Sequence, residues 1–301
     1  MQRRQFLGLS GGALAAGGLA RPVLADENRL EAFGVQLSTL NALMLKDFEG
    51  TLARVAEIGY RQVEFSAMGF LGRPVEQVQA LLGANGLEAP VGRVTPALPE
   101  NFSTLPRSEA MKIYRARGGI EHLAENVRHS LDGALALGQK YLNLPGLRPD
   151  DFRNLDQVKA NIEKLVEAGE ICAREGVLFG YHNHSWELLP IDGVVPYDLM
   201  LSETDSDILA FQMDSYWIVK GGGGLRDYLR RHPGRFPSCH LKDIDGAGDF
   251  ADVGDGEIDF PAFVRFALAQ GTEHFFVERD NPPEPLQSAQ RSYAYLKTMR
   301  F

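Results

Sequence analysis

The chain is short of cysteine, of positive charge and of long apolar runs, and each shortage removes a class of protein. Only Cys172 and Cys239 occur in 301 residues, so no disulfide framework stabilises it. Cys172 falls within a helical pattern and Cys239 on a strand, and both read as small buried apolar residues. Lys and Arg total 31 against 40 Asp and Glu, an acidic balance that argues against nucleic acid or an anionic membrane as partner, since both demand clustered positive charge. No segment past the N-terminus offers a membrane span's run of roughly 18 apolar residues. A Gly-rich phosphate turn is also missing after the first strand-like run, where Leu37-Ser38-Thr39-Leu40 stands, which disfavours a doubly wound nucleotide-binding fold. No linker, low-complexity tract or basic run divides the chain.

Residues 1–25 read as an address. Arg3-Arg4-Gln5-Phe6-Leu7 is followed by a Gly/Ala-rich apolar run to Ala20 and then by Val23-Leu24-Ala25. A twin-arginine segment, a short apolar stretch and a small-residue cleavage site make a Tat-type signal peptide. This predicts a periplasmic or secreted protein with no membrane attachment after the signal is removed. The same 25 residues hold three of the basic residues and no acidic one, so the remainder, 26–301, carries 28 against 40 and a formal charge of −12.

From residue 30 onward, β-rich apolar runs alternate with amphipathic stretches, which is the pattern of βα units around a parallel sheet. Eight such runs occur: 33–38, 62–66, 89–95, 140–144, 178–184, 208–214, 237–243 and 274–279. Between them apolar side chains recur at helical spacing, as in Leu52, Val55, Ala56 and Ile58. Gly59, Gly86, Gly138, Gly176 and Gly271 sit where helices should stop. Eight strands with intervening helices in about 250 residues predict a single α/β domain, a (β/α)8 TIM barrel. Gly221-Gly222-Gly223-Gly224 reads as a turn rather than a phosphate cradle, because no Lys-Ser/Thr follows it. The long connections 96–108 and 221–235 follow strands and so belong to the catalytic face.

Four successive strands end in metal-binding or acid/base residues: Tyr181-His182-Asn183-His184-Ser185-Trp186-Glu187, Met213-Asp214-Ser215-Tyr216-Trp217, His240-Leu241-Lys242-Asp243 and Val277-Glu278-Arg279-Asp280. Alternate strand residues share a face, which groups His182 with His184, Gln212 with Asp214, His240 with Lys242 and Glu278 with Asp280. A lone strand-end Asp is usually a helix cap, and a lone His is usually a satisfied core residue. Four consecutive strands ending this way instead predict a shared divalent-metal site. Glu64, ending the second strand, points into the same mouth as a hydroxyl-binding or proton-accepting group. Trp186, Tyr216, Trp217 and Phe102 offer an apolar wall for a sugar ring.

These motifs, together with Val253-Gly254-Asp255-Gly256-Glu257-Ile258-Asp259-Phe260-Pro261, resemble the xylose-isomerase-like TIM-barrel superfamily over residues 31–300, and within it the sugar phosphate isomerase/epimerase-like proteins. The resemblance implies a carbohydrate-processing metalloenzyme with Asp214, His240 and Glu278 as metal ligands. It also makes Glu278 available for proton transfer. Such barrels usually supply a fourth ligand from a Glu at the end of the fifth strand, where this chain has His182. Two alternatives stand: His182 binds through its imidazole, or Glu187 folds back to supply a carboxylate. Glu187 is preferred, with His182 left to the substrate, because a carboxylate-rich site suits Mn²⁺, with Mg²⁺, Co²⁺ and Zn²⁺ as other candidates. His184 and Lys242 are then candidates for contacting substrate, as acid/base and as a cation beside a developing enolate oxygen.

A divalent metal holding two oxygens of a hydroxy-ketone acidifies the neighbouring C–H, and a nearby base can then form an enediolate. Proton return gives epimerisation or isomerisation, whereas loss of a β-substituent gives dehydration or glycoside cleavage. The expected activity is isomerisation or epimerisation of a keto-sugar or cyclitol. Elimination from an inosose or 3-keto-glycoside is the alternative, and a non-catalytic sugar-binding barrel comes third. Export and the lack of an Arg cluster favour an unphosphorylated substrate. The sequence leaves oligomeric state open, a homo-oligomer included.

Overall fold

The structure, a computed structural model, describes residues 29–99, 102 and 105–301. The leader expected in residues 1–25 lies outside the described residues. All eight apolar runs form strands: β1 (Gly34–Gln36), β2 (Gln62–Glu64), β3 (Val91–Arg93), β4 (Tyr141–Leu144), β5 (Leu178–His182), β6 (Leu209–Asp214), β7 (Ser238–Leu241) and β8 (His274–Val277). They pair in parallel in the order β2-β1-β8-β7-β6-β5-β4-β3. An isolated parallel bridge between Gln62 and Glu88 joins β2 to the segment leading into β3. The eight strands therefore form a nearly closed (β/α)8 barrel.

Local chemistry explains the register. The five glycines expected to end helices all adopt left-handed backbone, with φ between +61° and +122°, where a Cβ would be strained. At Gly59 the space is taken as well, because the Tyr293 ring occupies the position of a Cβ. Strand alternation then sorts the side chains. Val35, Val63, Leu142, Phe179, Tyr181, Phe211, Met213, Cys239, Leu241, Phe275 and Val277 belong to the main apolar core with residues from the surrounding helices. The opposite parity carries Gln36, Glu64, Arg93, His182, Gln212, Asp214, His240 and Glu278. A small separate cluster of Val91, Tyr141 and Phe276 lies on this second parity. Cys172 and Cys239 are both buried free thiols.

After β7 a short antiparallel pair, Asp243–Ile244 with Phe250–Ala251, lifts off the barrel wall. Asp243 organises this excursion by accepting backbone N–H bonds from Ile244, Gly254, Gly256 and Ile258. Gly221–Gly224 links the helix Ser215–Lys220 to the helix Leu225–Arg231, with Gly222 at φ +81°; it is a turn between helices. Among the described residues no helix is long and apolar enough to cross a membrane.

Candidate metal centre

His182, Asp214, His240 and Glu278 meet at the mouth of the barrel, offering ligand atoms that all lie within 4.8 Å of one another, and all four are buried. Parallel register does the assembling. It places Asp214 beside His240 and His182 beside Gln212 on neighbouring strands, while Glu278 follows β8 and donates its backbone N–H to Leu241 O at 3.0 Å.

Asp214 divides its carboxylate between two roles. Oδ1 accepts from Trp217 N at 2.9 Å and so caps the helix Ser215–Lys220, the ordinary role of a strand-end Asp. Oδ2 is buried without a hydrogen-bond partner. Around it stand His182 Nε2 at 3.8 Å, Lys242 Nζ at 3.8 Å and His240 Nδ1 at 3.9 Å, too far to bond it. A buried acceptor left unpaired costs about 1–3 kcal/mol, and a carboxylate oxygen amid two imidazoles is a donor set that fits a divalent ion. His182, Asp214, His240 and Glu278 would hold it.

Burial and neighbouring charges shift the titratable groups of the cluster. Burial pushes the Asp214 carboxyl up to about 7. Burial opposes the charge on Glu278 too, but Lys242 and His240 outweigh it and hold this carboxyl well below its ordinary range. Glu278 Oε2 lies 2.9 Å from His240 Nδ1 and 3.2 Å from Lys242 Nζ, and its Oε1 accepts from Ser38 Oγ at 2.6 Å. His240 is raised to about 9: burial resists the charge, but Glu278 and Glu64 overcome it. A metal ion would therefore displace a proton from His240. Lys242, buried and bonded to Asp280 Oδ2 at 2.7 Å, stays an ammonium because Glu278, Asp214 and Asp280 together outweigh its burial.

Several site expectations change. Glu187 does not join the cluster. It lies in the 3-10 turn Trp186–Leu188, where its Oε1 accepts from Tyr181 Oη at 2.7 Å and both oxygens accept from His184 N at 3.1 Å. Tyr181 has the outward parity of β5, so Glu187 is drawn toward the outer layer, whereas His182 next along the strand turns inward. His182 thus takes the fourth place in the cluster and also lines the adjoining cavity. Glu64 does not line the cavity beside the cluster, because its carboxylate is engaged by His240 Nε2 at 2.5 Å, Gln212 Nε2 at 3.1 Å and Arg93 at 3.5 Å.

The cavity beside the cluster has a volume of 270 Å³ and is lined by His182, His184, Lys242, Glu278 and Asp280 together with Gln36, Ser38, Asn41, Ser66 and Arg93. Trp186 and Trp217 stand behind it rather than on it: His184 stacks on Trp186 with centroids 4.3 Å apart at 8°, and Trp217 lies 5.2 Å from the same ring. Lys242 Nζ sits 5.2 Å from the Trp217 ring. Burial, reinforced by Lys242, lowers His184 to about 3, so its ring is neutral. A larger cavity of 540 Å³ occupies the seam between β2 and β3 and shares Ser66, Ala67, Met68 and Arg93 with the first; it holds none of the cluster. No sequence motif singles out Arg93 or Ser38, although alternation along 89–95 gives Arg93 the inward parity of Val91.

A metal-ligand cluster at the strand ends of a (β/α)8 barrel defines a class of metal-dependent enzymes. The chain belongs to the xylose isomerase-like TIM barrel family, whose model matches residues 52–299. Among curated proteins it is similar to inosose dehydratases. That of Clostridium perfringens is 25% identical over 166 residues, 48% of this chain and 55% of the relative. That of Geobacillus thermodenitrificans is 27% identical over 158 residues, 45% and 52%. The chain thus spans about half the length of the curated relatives it matches. A solved sugar phosphate isomerase/epimerase from Parabacteroides distasonis shares the fold with a TM-score of 0.71 at 24% identity, covering 92% of this chain and 96% of that one.

Proposed function

We propose that this protein is a divalent-metal-dependent isomerase or epimerase of an unphosphorylated keto-sugar or cyclitol, acting by proton removal beside a carbonyl. The observation that carries this reading is the arrival of Glu278 and His184, from the eighth and fifth strands, at one small cavity bordered by the four-residue cluster. When bound, a metal would polarise the substrate carbonyl and acidify the adjacent C–H. Glu278 is the base: Lys242 keeps it charged and Ser38 fixes its Oε1. In isomerisation Glu278 returns its proton to the adjacent carbon. In epimerisation a solvent proton reaches the opposite face through His184, whose ring N–H donates as its other nitrogen accepts, and Glu278 then loses its proton to solvent. The Lys242 ammonium donates to the oxygen on which negative charge develops.

Neutral hydrogen-bond donors and acceptors, Gln36, Ser38, Asn41 and Ser66, fill much of the rest of the lining. The two cations on it, Arg93 and Lys242, are already paired with Glu64 and with Asp280 and Glu278. A phosphate would find no free counter-charge on this described lining, which favours an unphosphorylated substrate. Two imidazoles and two carboxylates suit Zn²⁺ or Co²⁺ ahead of the Mn²⁺ first expected. Export through the twin-arginine route would place the reaction in the periplasm; replacing Arg3 and Arg4 by Lys should retain the protein in the cytoplasm.

A second reading is β-elimination. Lys242 Nζ lies 3.2 Å from Glu278 Oε2, an acid next to the base, able to protonate a group leaving from the neighbouring carbon. The dehydratase names of the curated relatives point the same way. Incubating the metal-loaded protein in deuterated water with keto-sugars, inososes and 3-keto-glycosides, followed by NMR, decides between them. Deuterium beside the carbonyl with the substituents intact supports isomerisation or epimerisation, and an unsaturated product supports elimination. No exchange with any substrate overturns both and leaves a sugar-binding barrel.

A further inference from the structure

We infer that Arg93, Gln212 and Glu64 form one positioning network that fixes both imidazoles of the metal centre, with His182 Nε2 and His240 Nδ1 turned toward the ion. This rests on the metal reading above. The far nitrogen of each ring is bonded to the network: His182 Nδ1 lies 3.1 Å from Gln212 Oε1, and His240 Nε2 lies 2.5 Å from Glu64 Oε2. Gln212 Nε2 reaches both Glu64 oxygens at 3.1 and 3.3 Å. Arg93 NH1 donates to Gln212 Oε1 at 2.8 Å and lies 3.5 Å from Glu64 Oε1. Gln212, Glu64, His182 and His240 are all buried, so water does not supply alternative partners.

The direction of every bond follows from donor and acceptor inventory. A guanidinium only donates. Its partner on Gln212 must therefore be the carbonyl oxygen, which orients an amide whose two ends are otherwise interchangeable. With Oε1 committed as acceptor, His182 Nδ1 carries the hydrogen and Nε2 keeps its lone pair. The amide NH₂ then faces Glu64, and an ionised carboxylate only accepts. Glu64 consequently takes the hydrogen of His240 Nε2 and leaves Nδ1 for the ion. One fixed donor on β3 thus selects the tautomers of ligands on β5 and β7. The placement follows strand parity: Gln212 precedes Asp214 by two residues, so it lies on the same inward face of β6, one step further from the mouth, next to His182 in register. The arrangement also gives Glu64 a positioning role rather than a place against substrate.

Metal affinity and the visible spectrum of the Co²⁺-loaded protein test this directly. Partners that orient metal-bound histidines are typically worth 10–100-fold in affinity. Gln212→Met should therefore weaken Co²⁺ and Zn²⁺ binding by about 10–100-fold, measured by competition with a chromophoric chelator, and should shift the Co²⁺ ligand-field bands. Glu64→Gln, which keeps an acceptor but loses the charge, should weaken binding less and shift the bands in the same direction. The double variant should fall short of the product of the two effects because both act through one network. Circular dichroism separates loss of fold from loss of affinity; if Gln212→Met does not fold, Glu64→Gln and Arg93→Met carry the test. Wild-type affinity and unchanged bands in the folded variants overturn the network. Failure of the unsubstituted protein to bind either ion overturns the metal reading itself.

Discussion

The two faces of one barrel wall differ more than any two distant parts of the molecule. Phe179, Tyr181, Phe211, Met213 and Phe275 point outward and are fully buried under the helices. Their contribution is generic: each such side chain removed from water stabilises the fold by roughly 1.5–3 kcal/mol. The residues between them point inward and gather Glu64, Arg93, His182, Gln212, Asp214, His240, Lys242 and Glu278, whose side chains are almost entirely buried. Burying a charge costs several kcal/mol in practice, so this face is tolerable only because nearly every member is paired. Asp214 Oδ2 is left unpaired, at the point where a metal ion would complete the pairing. Stability and chemistry are separated by the two-residue pleat, without any division into domains.

That contrast can be broken from the inside first. Asp214→Ala should abolish stoichiometric metal binding and, since a bound metal supplies several kcal/mol, lower turnover by roughly a thousand-fold or more. The barrel should remain folded by circular dichroism; retention of wild-type metal content by this variant would sink the site. On the outer face, Phe211→Ala should cost about 3–5 kcal/mol of unfolding free energy in urea titrations while leaving metal affinity per folded molecule unchanged. Equal loss of affinity and stability would mean that the faces are not independent.

Glu187 offers a sharper probe, because it is an acid held by the outer layer. Burial raises its carboxyl to about 7, above the ordinary 4.5. The stability linked to its protonated form is therefore fully present below pH 4.5 and is lost as the pH rises through 7. At about 1.4 kcal/mol per pKa unit the loss reaches roughly 3 kcal/mol by pH 8. Glu187→Gln, always neutral, should match the native protein in stability at pH 4 and exceed it by up to roughly 3 kcal/mol at pH 8, with metal content unchanged. Parallel pH profiles would contradict the assigned environment. The smallest effect is expected from Lys242→Met. Turnover should fall about a hundred-fold, while metal affinity holds or improves as a cation leaves the neighbourhood of Asp214 Oδ2. Weakened metal binding would show that Lys242 supports the cluster rather than the substrate.

Much of this was legible in the chain. The eight strands, the five helix stops and the inward parity of Asp214, His240 and Glu278 follow from period-two and period-3.6 patterning, which each segment carries locally. The resemblance of the motifs pointed to the same barrel. The choice between His182 and Glu187 was not legible, because it depends on how residues 183–187 turn after β5 and on the pull of the Tyr181 hydroxyl. The role of Glu64 was also hidden. Parity puts it inward, but whether it meets substrate or His240 depends on the width of the barrel.

The sequence by itself therefore determined which residues face the interior and at which end of the barrel they stand, since a strand's alternation needs no partner to be read. Only the tertiary structure decided who meets whom across that interior. Distances between β2, β5, β6, β7 and β8 are set by closure of the sheet, and closure turned Glu64 from a substrate contact into the partner of His240 and made His182, rather than Glu187, the fourth member of the metal cluster.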